Sequence, residues 1–274
     1  MANLANIDRR WIFLAVFISV LVPLLVGFRL PVKASPNVRA IYTSIDALDA
    51  KAGDTVLMSF DFGPSTLTEL QPMAKAVLRH CFRKKLKVVG VTLLPEGVGI
   101  AETILSNVAA EFGATYGENY IFLGYKAGNE VLILNMGEEL RAAFSTDVRG
   151  TPLDDLTVTR PLRSLGDMAY VLDISAGYPG VEEWIQYGQE RYRFKLGAGC
   201  TAVMAPDFFP FLQSGQLDGL LGGLAGAAEY ETLIGQPDAA VSGMRPQSVG
   251  HVVIILFILF GNVAYFVSRR GGGS

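Results

Sequence analysis

Thr55-Val-Leu-Met-Ser-Phe-Asp-Phe62 is a nearly continuous apolar run, closed by Gly63-Pro64-Ser65. A run without alternation suits a strand covered on both faces, not one with a wet side. Lys87-Val-Val-Gly-Val-Thr-Leu-Leu94, Tyr120-Ile-Phe-Leu-Gly124, Ala169-Tyr-Val-Leu-Asp-Ile-Ser175 and Gly199-Cys-Thr-Ala-Val-Met204 have the same character. Between the first two, Met73, Val77, Leu78, Cys81 and Phe82 recur at helical spacing. Pro72 suits the first turn of that helix, and Arg83-Lys84-Lys85 suit its C-terminus. Ile100, Ile104, Val108 and Phe112 mark another helix, stopped by Gly113, and shorter helices are expected near 41–49, 138–144 and 180–187. Strand and helix alternating at this spacing predict βαβ units. The expected fold is α/β, with a mainly parallel sheet of about five strands flanked by helices in a Rossmann-like three-layer arrangement.

This pattern occupies residues 31–235 and is bracketed by apolar segments at 11–28 and 249–267. Each is about long enough to cross ~30 Å of hydrocarbon at 1.5 Å per residue. The chain therefore divides into an N-terminal transmembrane anchor (1–30), the α/β domain (31–235), a Pro- and Gly-containing linker (236–248), a C-terminal transmembrane helix (249–268) and a flexible tail (269–274). Arg9 and Arg10 before the first span, and Arg269 and Arg270 after the second, favour a cell-membrane protein with both termini cytoplasmic and the domain extracytoplasmic. Arg29, Lys33, Arg39 and Arg245 on the inner flanks pull the other way. A competing expectation is a signal peptide cleaved after Val32-Lys33-Ala34.

Only 18% of the 274 residues are charged and 50% are hydrophobic, which fits a membrane-tethered protein. Net charge is −3 without a basic stripe, so no nucleic-acid partner is expected. The bilayer, other integral membrane proteins or further copies of the chain are the expected partners. Cys81 and Cys200 are expected as buried small hydrophobes, with a single disulfide or a reactive thiol as alternatives.

No G-x-G-x-x-G follows the first strand, and neither a G-x-x-x-x-G-K-[ST] loop nor a G-x-S-x-G elbow occurs. The two histidines, His80 in mid-helix and His251 at the second span, are poorly placed for a nucleophile–imidazole pair. No cofactor, metal site or catalytic residue is assigned on these grounds.

In an open parallel sheet, ligands bind beyond the carboxyl ends of the strands. The candidates there are Asp61, Ser65 and Thr66 around the first strand's exit, Glu96 after the second, and Lys126 and Asn129 after the third. Asp173 and Ser175 close the fourth strand, and Asp207 follows the fifth. Ser65 and Thr66 can present N–H groups to an anion or simply cap a turn. Asp61 and Asp173 can share a proton, hold a hard cation, or each cap a loop. Lys126 can bind an anion or stay solvated.

The stretch from Gln213 to Glu231 reads as a glycine-rich helix. Gly219 and Gly223, like Gly222 and Gly226, lie four apart, which suits close approach of another backbone. In the second span, Gly261 and Asn262 are the candidate helix–helix contact. The leading expectation is a non-catalytic, membrane-anchored assembly or scaffold subunit. The alternatives are an extracytoplasmic sensor for a small molecule or anion, and a membrane hydrolase using Asp61 and Asp173.

Overall fold

A computed structural model describes residues 8–26 and 32–271, with side chains as far as residue 266. Residue 28 at the end of the first apolar segment, Arg29 on its inner flank and the tail from 272 on fall outside it. Val32–Ala240 forms one compact unit, and the described parts of 1–31 and 241–274 form a second.

The first unit contains α2 (Pro36–Asp46), β1 (Thr55–Asp61), α3 (Leu67–Arg83), β2 (Lys87–Thr92), α4 (Gly97–Glu111), β3 (Tyr120–Tyr125), α5 (Asn129–Glu138) and α6 (Leu140–Ala143). After a long irregular connection come β4 (Tyr170–Ser175), α7 (Val181–Glu183), a π-helical stretch (Trp184–Gln189) and α8 (Glu190–Tyr192). β5 (Leu196–Cys200), α9 (Phe209–Gln213), β6 (Gly219–Gly222) and α10 (Gly223–Leu233) complete it. The second unit holds α1 (Arg9–Leu25) and most of α11 (Ala239–Gly271).

The strands form one parallel sheet in the order β3-β2-β1-β4-β5-β6. The expected α/β architecture is present, with six strands among the described residues where about five were expected. The chain builds outward from β1 to β3, then returns to β4 on the other side of β1. The carboxyl ends of β1 and β4 therefore flank the point where the winding reverses, which is where doubly wound sheets open a crevice.

Register sorts the side chains by face. Leu57, Val89, Val91, Val171, Leu196, Ala198 and Leu220 point into a core closed by Leu132, Ile133 and Met136 of α5 and by Trp184 and Ile185. The opposite face is covered by α2, α3, α4 and α10. There, strand glycines let helices come close: a Cβ on Gly199 would lie 3.3 Å from Met73 Sδ of α3, and one on Gly219 would lie 2.7 Å from Ile41 Cγ1 of α2. His80 joins three helices from inside this layer. It is buried, hydrogen-bonded through Nδ1 to Tyr230 Oη at 2.8 Å, and stacked on Tyr42 at 4.6 Å between ring centroids.

Several local expectations are corrected. The stretch from 213 to 231 is not one helix. Gly219–Gly222 is the edge strand β6, and Gly223, at φ +59, turns the chain into α10. The fifth strand starts at Leu196, earlier than expected, and Pro72 is the sixth residue of α3 and not part of its first turn. Residues 130–136 are helical within α5. The stretch 236–248, expected as a linker, is helical from Ala239. Glu231 starts that helix by accepting from Asp238 N at 2.8 Å and Ala240 N at 3.0 Å, which serves N–H groups that lack partners at a helix N-terminus. Cys81 and Cys200 are both free and fully buried, without a disulfide between them. Burial pushes both thiols up to about 12, away from reactivity.

Ala239–Phe266, which lies mostly in the second unit, is the one helix among the described residues long and apolar enough to cross a membrane. α1 has 17 residues, with Pro23 inside it.

Candidate functional site

On the face toward Trp184, the apolar pattern breaks at four positions. Ser59 and Asp61 of β1 pair in register with Asp173 and Ser175 of β4, so all four side chains share one face at the reversal point. All are fully buried.

Asp61 is surrounded by donors. Its Oδ1 accepts from Leu93 N at 2.6 Å, and its Oδ2 accepts from Ser59 Oγ at 2.7 Å and Trp184 Nε1 at 3.2 Å. Asp173 is the reverse case: neither carboxyl oxygen finds a donor in normal geometry. Burial first, and then the adjacent Asp61 carboxyl, hold Asp173 well above the usual carboxylate range. Asp61 is also raised by burial, while its contact with Asp173 and its three donors pull the other way. These directions fit a pair that holds one proton between its two carboxyls, with Asp61 the member whose donors stabilise a negative charge.

Ser175 does structural work. Its Oγ accepts from Val181 N at 3.2 Å, and Gly180 has no room for a side chain because a Cβ would press on that hydroxyl. The remaining candidates lie outside the buried strip. Ser65 is exposed in the short turn Pro64–Thr66 before α3, and Thr66 Oγ1 donates to Gly63 O at 3.3 Å. Glu96 is exposed and lays its carboxylate against Gly63. Lys126 is exposed, with Nζ donating to Ala143 O at 2.6 Å. Asn129 opens α5 at φ +31, and Asp207 is exposed in the turn Ala205–Phe208. The structure thus brings Asp61, Asp173 and Ser175 together and leaves Ser65, Thr66, Glu96, Lys126, Asn129 and Asp207 spread along the rim.

A cavity of about 140 Å³ opens where the β4 and β5 exits meet, lined by Tyr178, Val181, Glu182, Glu183, Met204 and Phe208 among others. None of the nine candidates lines it. Trp184 and Tyr178 are the residues sequence reasoning passed over or left without a role. A buried indole N–H requires an acceptor, so the one tryptophan of the sheet domain was a usable signal.

The glycines proposed for close approach have partners inside their own unit. Gly219 faces Asn37 and Ile41, Gly222 faces Ala205, Gly223 faces Ala202 and Gly226 faces Leu221. Gly261 has open space around it, and Asn262 Nδ2 donates to Ile258 O of its own helix at 2.9 Å. The approach between α1 and α11 comes at Gly250, where a Cβ would lie 3.8 Å from Val20 Cγ2.

Compared with protein-family models, with curated proteins and with solved structures, the chain finds no match.

Proposed function

We propose that this protein is a membrane-tethered α/β domain that works by assembly, as a non-catalytic subunit of a complex with other integral membrane proteins or further copies of itself. The observation that carries this is the placement of exposed apolar side chains. Among the described residues the sheet domain exposes six large ones. Five of them, Tyr125, Val131, Tyr178, Val203 and Phe209, lie at the ends or exits of β3, β4 and β5. Apolar surface gathered at one edge favours a contact with another molecule. The carboxylates a hydrolase would use are meanwhile sealed, with Asp61 and Asp173 both 0% exposed. The tether we infer has two spans, α1 with its flanking residues and α11, and both termini on the cytoplasmic side. Extraction in mild detergent followed by light scattering should give a particle larger than one 29.5 kDa chain plus detergent. A clean monomer without co-purifying chains overturns the proposal.

A ligand-binding sensor is the second function favoured by an observation, the cavity between the β4 and β5 exits. Its volume suits only a small ligand, below the ~300 Å³ at which drug-sized pockets begin. A thermal-shift screen of small metabolites should then find a stabilising compound whose effect disappears in Tyr178→Ala. Absence of any such compound counts against it.

A further inference from the structure

We propose that the rim at the carboxyl ends of the strands docks a basic segment of a protein partner that also carries apolar side chains, which rests on the assembly reading above and names the partner's chemistry. The rim is continuous across three strand exits. Glu130 at the start of α5 accepts from Tyr178 Oη at 2.8 Å, which joins the β3 exit to the β4 exit. Tyr178 in turn shares the cavity of about 140 Å³ with Met204 and Phe208 of the β5 exit. Val131, next to Glu130, is 58% exposed, Tyr178 is 69% exposed, and Val203, next to Met204, is 86% exposed.

Charge decides what fits there. The exits spanning 63–69, 94–99, 126–131, 176–183 and 201–209 carry Glu69, Glu96, Glu130, Glu182, Glu183 and Asp207, against Lys126 alone. Two of these acids serve the fold: Glu69 accepts from Ala202 N at 2.9 Å and Glu183 from Gly180 N at 2.7 Å. Glu96, Glu182 and Asp207 are exposed, and Lys126 is turned to Ala143 O. The chain as a whole is near balance at −3, so this one-signed charge is local to the apolar rim. A cationic segment complements it, whereas an anionic lipid surface is repelled by it.

The test uses the full chain in nanodiscs of neutral lipid and three labelled short peptides, of alternating Arg/Leu, Glu/Leu and Arg/Ser, read by fluorescence anisotropy. The Arg/Leu peptide should bind about tenfold or more tighter than either of the others and weaken with salt. The double variant Glu182→Lys/Asp207→Lys, at two exposed sites, should lose about tenfold for Arg/Leu, and Tyr178→Ser/Val203→Ser should abolish the preference for Leu over Ser. Equal binding of Arg/Leu and Glu/Leu, indifference to the charge reversals, or Arg/Ser binding as tightly as Arg/Leu would each overturn the proposal. So would tighter association with anionic than with neutral vesicles. If the peptides fail while the detergent-extracted particle still exceeds one chain, only the partner's chemistry is wrong; a monomer removes the assembly itself.

Discussion

Asp173 is the side chain whose burial demands the most explanation, because the polar environment that usually accompanies a buried carboxyl is given to Asp61 instead. Its raised affinity for a proton has a definite sign. The folded state keeps a proton that the unfolded chain releases near 3.8, so this stability is full below that pH and is lost as pH rises through the elevated folded range. His80 acts in the opposite direction. Its burial lowers its proton affinity from 6.5, so the fold loses stability as pH falls below that value. The two effects overlap, and Asp173→Asn separates them because it retains an N–H donor for Asp61 but cannot titrate. In urea unfolding across the acid-to-neutral range, the stability of Asp173→Asn relative to wild type should climb steadily with pH. A difference that stays flat would mean no proton is shared. Asp61 and Asp173 were legible as strand-end carboxylates. Their pairing was not, because a register slip of one residue sends a strand's side chains to opposite faces, and no single strand's sequence fixes its partner's register.

Among the elements, β6 and α10 show where sequence periodicity misleads. Glycines four apart suit a packed helix, and Leu217, Leu220, Leu221 and Leu224 supply a helical stripe. The same residues also fit a short edge strand followed by a left-handed glycine, and the packing of Gly219 under α2 selects that outcome. The apolar runs forming β1, β2 and β4 left no such choice, being too short and too uniformly apolar for surface helices. Gly219→Ala should therefore destabilise by about 1–3 kcal/mol in chemical unfolding, since its Cβ would collide with Asn37 O and Ile41. Gly99→Ala, in the first turn of α4 with open space around it, should be neutral or stabilising by up to about 1 kcal/mol. Arg79 ties α3 to α4 and to the start of α11, bonding Glu111 at 2.7 Å and Asp238 at 2.6 Å. Its acids are 37% and 43% exposed, so water can take over much of their charge. Arg79→Met should cost about 1–3 kcal/mol by thermal unfolding, less than a fully sealed ion pair would.

For the whole molecule, the one helix long and apolar enough to cross a membrane among the described residues was legible from length and composition, but where it begins was not. Gly243 and Pro246 read as a linker, yet the helix starts at Ala239 because Glu231, in the last turn of α10, caps it. Charges placed in α11 and in α1 test the proposed tether. Ile255→Arg with Leu259→Arg should weaken insertion of α11 by about 2.5–3.5 kcal/mol per residue, and Phe17→Arg should act likewise on α1. Carbonate extraction of membranes should then retain the chain when one helix is altered and release it when both are; release by the α11 variant alone would leave a single span. The capped start of α11 has a mechanical corollary. A pull entering the domain at Ala240 is handed by Glu231 to α10 and by Arg79, through Asp238, to α3 and α4. Tension therefore reaches α3 and α4, which cover the middle of the sheet, as well as α10 over the edge, instead of peeling β6 one hydrogen bond at a time, and the domain should yield late and all at once.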